Sequence, residues 1–451
     1  MMRPGLLLSI LVLLASVAGI YLRQVYRGNT KPSPVASTLA VEQDEQELDE
    51  WTPPVPPSSP PPAADSAEAV LLNEAFHLSS LRRLPFQSEL AFKKVDEAEI
   101  ARVWERQLQS QYSSDSLERF GLVLQMLGMV SIDIDLQAAY QKAPPLWEGV
   151  VYDGARGQVL YTDACQPSES KASKQQLAQQ LMLMLLDQRF AWREGQLLTE
   201  VNFDQALAQK AFVQADAAWH MLRYTETDAD KSMLWAKAQA MGSHLPSAFA
   251  EIELMPFREG VHFCQEITRK NVSLDSMYQQ MPTSTAQLLH PERFLTNPPY
   301  RPRALKWAQL DLKGAEPTWD NVIGEALTRA WLRQHAANEE ADLLAAAIDG
   351  DRVILYQVPD DGPQVLWKTV WRNAERANAF VDFIVNRVGA IFGVEESATA
   401  QTNGTTQYFP GVLDLEITLR DDEVILLRST TTEWRKALQD LASRSAFQKR
   451  P

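Results

Sequence analysis

The sequence predicts an α+β protein. A mainly helical domain covers residues 70–300 with a small bordering sheet, and a smaller C-terminal α/β unit, residues 301–451, packs on it. Both stand behind an apolar N-terminal helix (1–27) and a stalk (28–68). Three observations carry this reading. Apolar residues recur at helical spacing through most of 70–300, where one clear hairpin interrupts them. After residue 300, short β-rich runs alternate with helical ones. The first 68 residues hold an uncharged apolar run and then an acidic and proline-rich stretch, neither of which suits a packed core.

Each element has a local cause. Gly5 to Leu22 contains no charge, and eighteen residues at about 1.5 Å each just span a bilayer core of about 30 Å. The run is read as a signal-anchor crossing a bacterial membrane once, with the globular part outside the cytoplasm. Cleavage after Ala18, giving a secreted or periplasmic protein, is the alternative. Glu42 to Glu50 carries six acids in nine residues, and Pro53 to Pro62 is nearly all proline and serine. Such segments stay extended because they bury too little apolar surface to offset ordering entropy. Residues 71–84 read as a helix ending at Pro85, 89–95 as a strand, 96–110 as a helix capped by Asp96, and 117–129 as an apolar helix. Residues 148–161 form a hairpin around a glycine-containing turn. Helices follow at 173–191 and, with Asp204 as cap, at 204–224. On the second of these, Leu207, Ala211, Gln214 and Ala218 share one side. Residues 228–300 read as mostly helical. Beyond them come helices at 321–334, 339–347, 374–392 and 432–443, strands at 352–357 and 364–371, and a hairpin at 414–428 turning at Asp421-Asp422.

Leu177-Ala-Gln-Gln-Leu-Met-Leu-Met-Leu-Leu-Asp-Gln-Arg-Phe190 resembles the L-A-H-E-L-x-H-A-L-Q-D-Q-x-F helix of a bacterial family related to gluzincin-type metallopeptidases. Other segments resemble the same family in the same order. They are Leu81 to Phe86, Asp204 to Ala208 with Val213 to Ala217, Gly324-Glu325, Gly350-Asp351-Arg352, and Leu366 to Trp371 before Ala377 to Phe380. The most specific is Pro282-Thr-Ser-Thr-Ala-Gln-Leu-Leu-His-Pro-Glu-Arg-Phe294, which is similar to P-x-S-T-x-Q-x-L-H-P-E-K-Y. Together these span roughly residues 75–445. The resemblance implies a zincin-like fold, in which H-E-x-x-H places two zinc-binding His and a water-activating Glu on one helix.

This chain departs from that pattern where the chemistry lies. The ligand positions carry Gln179, Leu183 and Gln214, and the general-base position carries Gln180. Leu183 has no donor atom, neutral amides are poor ligands for a divalent ion, and an amide cannot take a proton from water. The six His include no pair at i and i+4. The resemblance therefore implies a peptidase-shaped protein without zinc or other cofactor, in which a glutamine cluster stands where the metal would be. His290 and Glu292 of the 282–294 motif, read mainly as a rigid structural turn, and Asp351 with Arg352, read as a tight turn with an internal ion pair, are the remaining candidates for a cleft or structural motif.

The net charge of −15 argues against nucleic acid as a partner. Cys165 and Cys264 include no C-x-x-C, and they read equally as a disulfide or as two separate thiols. No Walker loop, dinucleotide fingerprint or Gly-x-Ser-x-Gly elbow occurs. Three functions fit. The first is a catalytically inactive protein holding a protein or peptide in the former cleft, or scaffolding. The second is a hydrolase with a relocated site, built on His220 with Asp216 or Glu226, or on Cys165 with a distant His. The third is a purely structural envelope protein.

Overall fold

The structure is a computed structural model, and it describes residues 66–448 apart from 112–113, 144–148, 193–201, 229–230, 311, 313–314, 359–360, 395–400, 404 and 411–413. The apolar run 5–22 and all but the last three residues of the expected stalk lie outside the described residues.

The chain opens with α1 (Ala67–Arg82), β1 (Ala91–Lys94), α2 (Glu97–Gln111), α3 (Ser114–Met126), α4 (Leu136–Lys142), β2 (Val150–Asp153) and β3 (Gln158–Tyr161). Two long helices follow, α5 (Lys171–Phe190) and α6 (Phe203–Tyr224). Then come α7 (Met233–Gly242), α8 (Ser247–Met255), a π-helical turn (Pro256–Gly260), α9 (Val261–Arg269), α10 (Leu274–Met277), α11 (Thr285–Leu289) and α12 (Pro291–Phe294). The rest is β4 (Leu305–Lys306), β5 (Trp319–Asn321), α13 (Gly324–Leu332), α14 (Asn338–Ala345), β6 (Ile348–Val358), β7 (Gly362–Trp371), α15 (Ala374–Val385), α16 (Val388–Phe392), β8 (Gln401–Asn403), β9 (Thr406–Phe409), β10 (Leu415–Arg420), β11 (Glu423–Arg428), α17 (Thr432–Arg444) and β12 (Ala446–Phe447). The fold is therefore mixed α+β, with helices prevailing before residue 300 and a large sheet after it.

Two sheets frame the molecule. The smaller runs β1-β3-β2, with β1 parallel and β2 antiparallel to β3. The larger is a seven-stranded antiparallel sheet ordered β5-β6-β7-β11-β10-β9-β8. Its strands alternate strictly. Val353, Leu355, Trp367, Val424 and Leu426 face the main core, while Ile354, Tyr356, Leu366, Ile425 and Leu427 face α17. Lys368 lies buried among the second set. Its ammonium donates to the carbonyls of Ala442 and Ser445 at the end of α17 and pairs with Glu423 at 2.9 Å. A cation there meets the negative end of the helix dipole.

The main core is continuous from Leu71 to Leu426 and includes side chains from both sequence halves. Trp331 of α13 joins them. Its indole N–H donates to the carbonyl of Gly128 at 3.1 Å, and its ring meets Trp367 and Phe380 edge-on.

The structure corrects several expectations. No helix among the described residues is long and apolar enough to cross a membrane. The long helices α5 and α6 carry Lys, Arg, Asp and Gln and are packed inside protein. No described helix therefore supports the single-pass, signal-anchored placement in a bacterial membrane, and the run 5–22 on which it rested lies outside the described residues. Asn202, not Asp204, caps α6, through a 2.9 Å bond from Gln205 N–H. Gly350-Asp351-Arg352 is not a turn but lies within β6, beside a register shift between Ile348 and Gly350. Helix 374–392 breaks into α15 and α16. Cys165 and Cys264 are both free thiols.

Trp331→Ala removes a fully buried side chain and its hydrogen bond, which costs about 3–5 kcal/mol. The common core predicts that helical and sheet signals are lost together. Far- and near-UV circular dichroism of that variant should give one coincident, lowered melting transition.

Candidate functional site

The site begins with α5. Every residue from Gln175 to Leu186 is buried, so this helix has no solvent face. A helix buried all round must satisfy its polar side chains inside protein. Gln175 donates to Thr227 at 3.0 Å. Gln179 donates to the backbone carbonyl of Gln214 on α6 at 3.2 Å. Gln180 turns toward the small sheet, where its Oε1 accepts the Tyr152 N–H at 2.8 Å. Tyr152 returns its hydroxyl to Asp187 of α5 at 2.7 Å.

Tyr152 sits on β2, an edge of the three-stranded sheet. Its N–H bonds Gln180, and its carbonyl accepts from Gln107 Nε2 at 2.9 Å. Two side-chain amides thus occupy the outward groups that an edge strand offers to an added strand.

The four positions aligned to zinc chemistry fare differently. Gln179 and Gln180 are buried, but each amide is only half matched: Gln179 Oε1 and Gln180 Nε2 have no partner among the described residues. Leu183 is 6% exposed core. Gln214 is half-buried and contributes only its backbone carbonyl. The expected three-glutamine cluster is therefore a pair of separate links, because Gln180 faces the strand while Gln179 faces α6. Among the described residues no three His, Cys, Asp or Glu side chains are placed to hold a metal ion.

The 282–294 motif builds a second, larger junction. Thr285 donates N–H and hydroxyl to Asp204 Oδ1 and accepts the Ala326 N–H at 3.0 Å. His290 Nε2 lies 2.5 Å from Glu325 Oε1, and Arg293 donates to Glu325 Oε2 at 2.7 Å. Glu292 points outward, with its side chain 75% exposed and 3.8 Å from His290. Asp351 reaches from β6 to the start of α13. It accepts the N–H groups of Ile323 and Gly324 and the Trp367 indole N–H, all at 2.9–3.0 Å. Arg352 pairs with Asp320 on the neighbouring strand, with two bonds of 2.6 and 2.8 Å. The expected internal Asp351–Arg352 pair does not form, since successive residues of a strand point to opposite faces. Gly324 has φ +78°, and a Cβ there would lie 2.0 Å from Asp204 Oδ1. Glycine lets the loop pass over the carboxyl.

Electrostatics separates two buried aspartates. Asp204 has no cation beside it among the described residues. Burial, with the charges of Asp351 and Glu325, outweighs the Thr285 bonds and pushes it up to about 7. Burial would raise Asp216 too, but Arg82 at 3.1 Å, with His220 and Tyr278, holds it down at about 2. His220 does meet Asp216, at 2.8 Å, yet both are buried. Burial raises the Cys165 thiol to about 11 against the pull of Ser173. Glu226 is an exposed residue at φ +47° in the turn after α6. Sequence reasoning missed Tyr152 and Gln107 altogether and took Asp204 for a cap. The 282–294 motif, Gly324-Glu325 and Asp351 were the visible signals of the second junction, without any sign that they meet.

Residues 315–439 match a family described as a domain of unknown function (DUF8575). The matched stretch contains β5 to β11 and most of the large sheet's helical cover. No curated protein and no solved structure matches the chain.

The two aspartates predict opposite outcomes. Asp204 binds its proton more tightly folded than unfolded, so its contribution is full below about pH 4 and is lost as pH rises toward 7. Asp204→Asn keeps the acceptor for Thr285 and cannot ionise. Urea unfolding should show a gain that grows from pH 4 to 7, reaching roughly 4 kcal/mol. Asp216 stabilises above about pH 4, and that contribution fades as pH falls through 2. Asp216→Asn leaves the buried Arg82 with Asp275 alone and should cost about 1–3 kcal/mol at neutral pH. Equal effects of the two changes at pH 8 would contradict this assignment.

Proposed function

We propose that this chain is a non-catalytic protein of peptidase-like shape that acts by binding another protein or peptide. One observation carries the reading. The residue at the general-base position, Gln180, is engaged in holding β2 through the 2.8 Å bond to Tyr152 N–H. A side chain committed to the sheet is not free to orient water. Its neighbours support the same view. Gln179 links α5 to α6, and Leu183 packs in the core. The side chains at the positions that would activate water thus join the helix to its surroundings instead.

The α5–α6 pair beside a three-stranded sheet fits the zincin-like shape that the resemblance implies. The binding mode is then narrowed. An open edge strand accepts an extended peptide through its free N–H and C=O groups. At β2 the groups of Tyr152 are already bonded to Gln180 and Gln107, so a ligand would dock elsewhere.

The full-length protein, loaded with zinc and dialysed, should retain far less than one zinc per chain by elemental analysis. It should leave casein and mixed peptides intact. One tight zinc per chain, lost in a Gln179→Ala variant, would contradict the proposal. Gln180→Leu leaves the Tyr152 N–H buried without an acceptor and should destabilise by about 1–3 kcal/mol.

A further inference from the structure

We propose that the groove between α6, the turn at 279–283 and the turn at 299–301 binds a short peptide segment bearing a carboxylate, with Arg301 pairing with the carboxylate. This rests on the reading of the chain as a binding protein and names where and what it binds. The groove holds about 450 Å³, within the roughly 300–1,000 Å³ of small-ligand sites.

Charge is the first argument. The chain has 58 acidic against 43 basic residues, yet no acidic residue lines this groove, and Arg301 does. A groove of similar size beside α3 and α4, about 470 Å³, is lined by Glu118, Asp133 and Asp135 against the single cation Arg119. An anion therefore meets far less repulsion at the first groove than at the second. Guanidinium matches a carboxylate with two parallel bonds.

Unused hydrogen-bonding capacity is the second argument. Gln209, Gln279 and Gln280 line the groove with side chains that make no hydrogen bond among the described residues, and Arg301 makes no ion pair there. A primary amide offers donors and an acceptor together, which is the complement of a peptide unit. Met281, Phe294 and Pro299 supply apolar surface beneath.

Preorganisation is the third. Gln287, 1% exposed, ties both walls to one point. Its Oε1 accepts the Thr283 N–H at 2.7 Å, and its Nε2 donates to the Tyr300 carbonyl at 2.6 Å. The backbone of Thr283 and of Tyr300, next to Arg301, is thereby held on a common frame, so the ligand orders side chains but not the walls.

The test uses tetrapeptide pools labelled with an uncharged dye and the full-length protein, read by fluorescence anisotropy. One pool has free C-terminal carboxylates. A second is C-terminally amidated but contains Asp and Glu. A third is amidated and lacks acids. Saturable binding by the first or second pool is expected, with at least tenfold weaker binding by the third. Whichever of the first two binds tighter identifies the source of the carboxylate. Arg301→Ala should weaken that binding at least tenfold, with an unchanged melting temperature because Arg301 is exposed. Absence of saturable binding by every pool, or equal binding by Arg301→Ala, overturns the proposal. Cleavage of the bound peptides, seen by mass spectrometry, would instead overturn the non-catalytic reading and leave the groove standing.

Discussion

The hydrogen bond from Tyr152 N–H to Gln180 Oε1 is the contact on which the rest of the account depends. It joins a helix buried on every side from Gln175 to Leu186 to the edge of the small sheet. The Tyr152 hydroxyl on Asp187 and the Gln107 amide on the Tyr152 carbonyl reinforce it. The three bonds fix the distance between α5 and β2 and close the edge at Tyr152. They also explain how a helix with four buried glutamines can be tolerated. Gln175, Gln179 and Gln180 each bond a different neighbour, and the unmatched halves on Gln179 and Gln180 are the residual cost.

The second constraint is the junction at the start of α13. Asp204, Glu325 and Asp351 gather there, and like charges in a buried place repel. Each is relieved differently. Glu325 has Arg293 and His290, Asp351 has backbone N–H groups at a helix start, and Asp204 keeps its proton more readily. Glu325, Asp351 and Gly324 lie inside the stretch that matches the domain of unknown function. Asp204, Thr285, His290 and Arg293 lie outside it. The matched stretch thus draws its buried charge balance from the helical half, which makes the two halves one energetic unit.

Periodicity made most helices and both hairpins legible in sequence. The α5 boundaries differ by two residues or fewer, and the 148–161 hairpin pairs as expected. What escaped was set by distant partners. Asp204 resembled a cap because it stands at a helix start, but Asn202 reached the free N–H groups first. Gly350-Asp351-Arg352 resembled a turn by composition, yet the β6–β7 ladder runs through it. Gln214 fell on the inner side by helical spacing. That spacing discriminates poorly on α6, where alanines on several sides are buried. Short elements such as α4, β5 and β8–β9 carry too few residues for a period to show. The use of Gln180 on a strand was not legible, since no local signal names Tyr152 as its partner.

Hydrogen exchange at the Tyr152 amide tests the central claim most directly. If Gln180 holds β2, that edge-strand N–H exchanges as slowly as the sheet interior, and Gln180→Leu accelerates it selectively while Val151, bonded to β3, stays protected. An amide exchanging at the rate of an open edge in the unaltered protein, or unmoved by Gln180→Leu, would contradict the account. It would return Gln180 to the status of a free side chain in an open cleft.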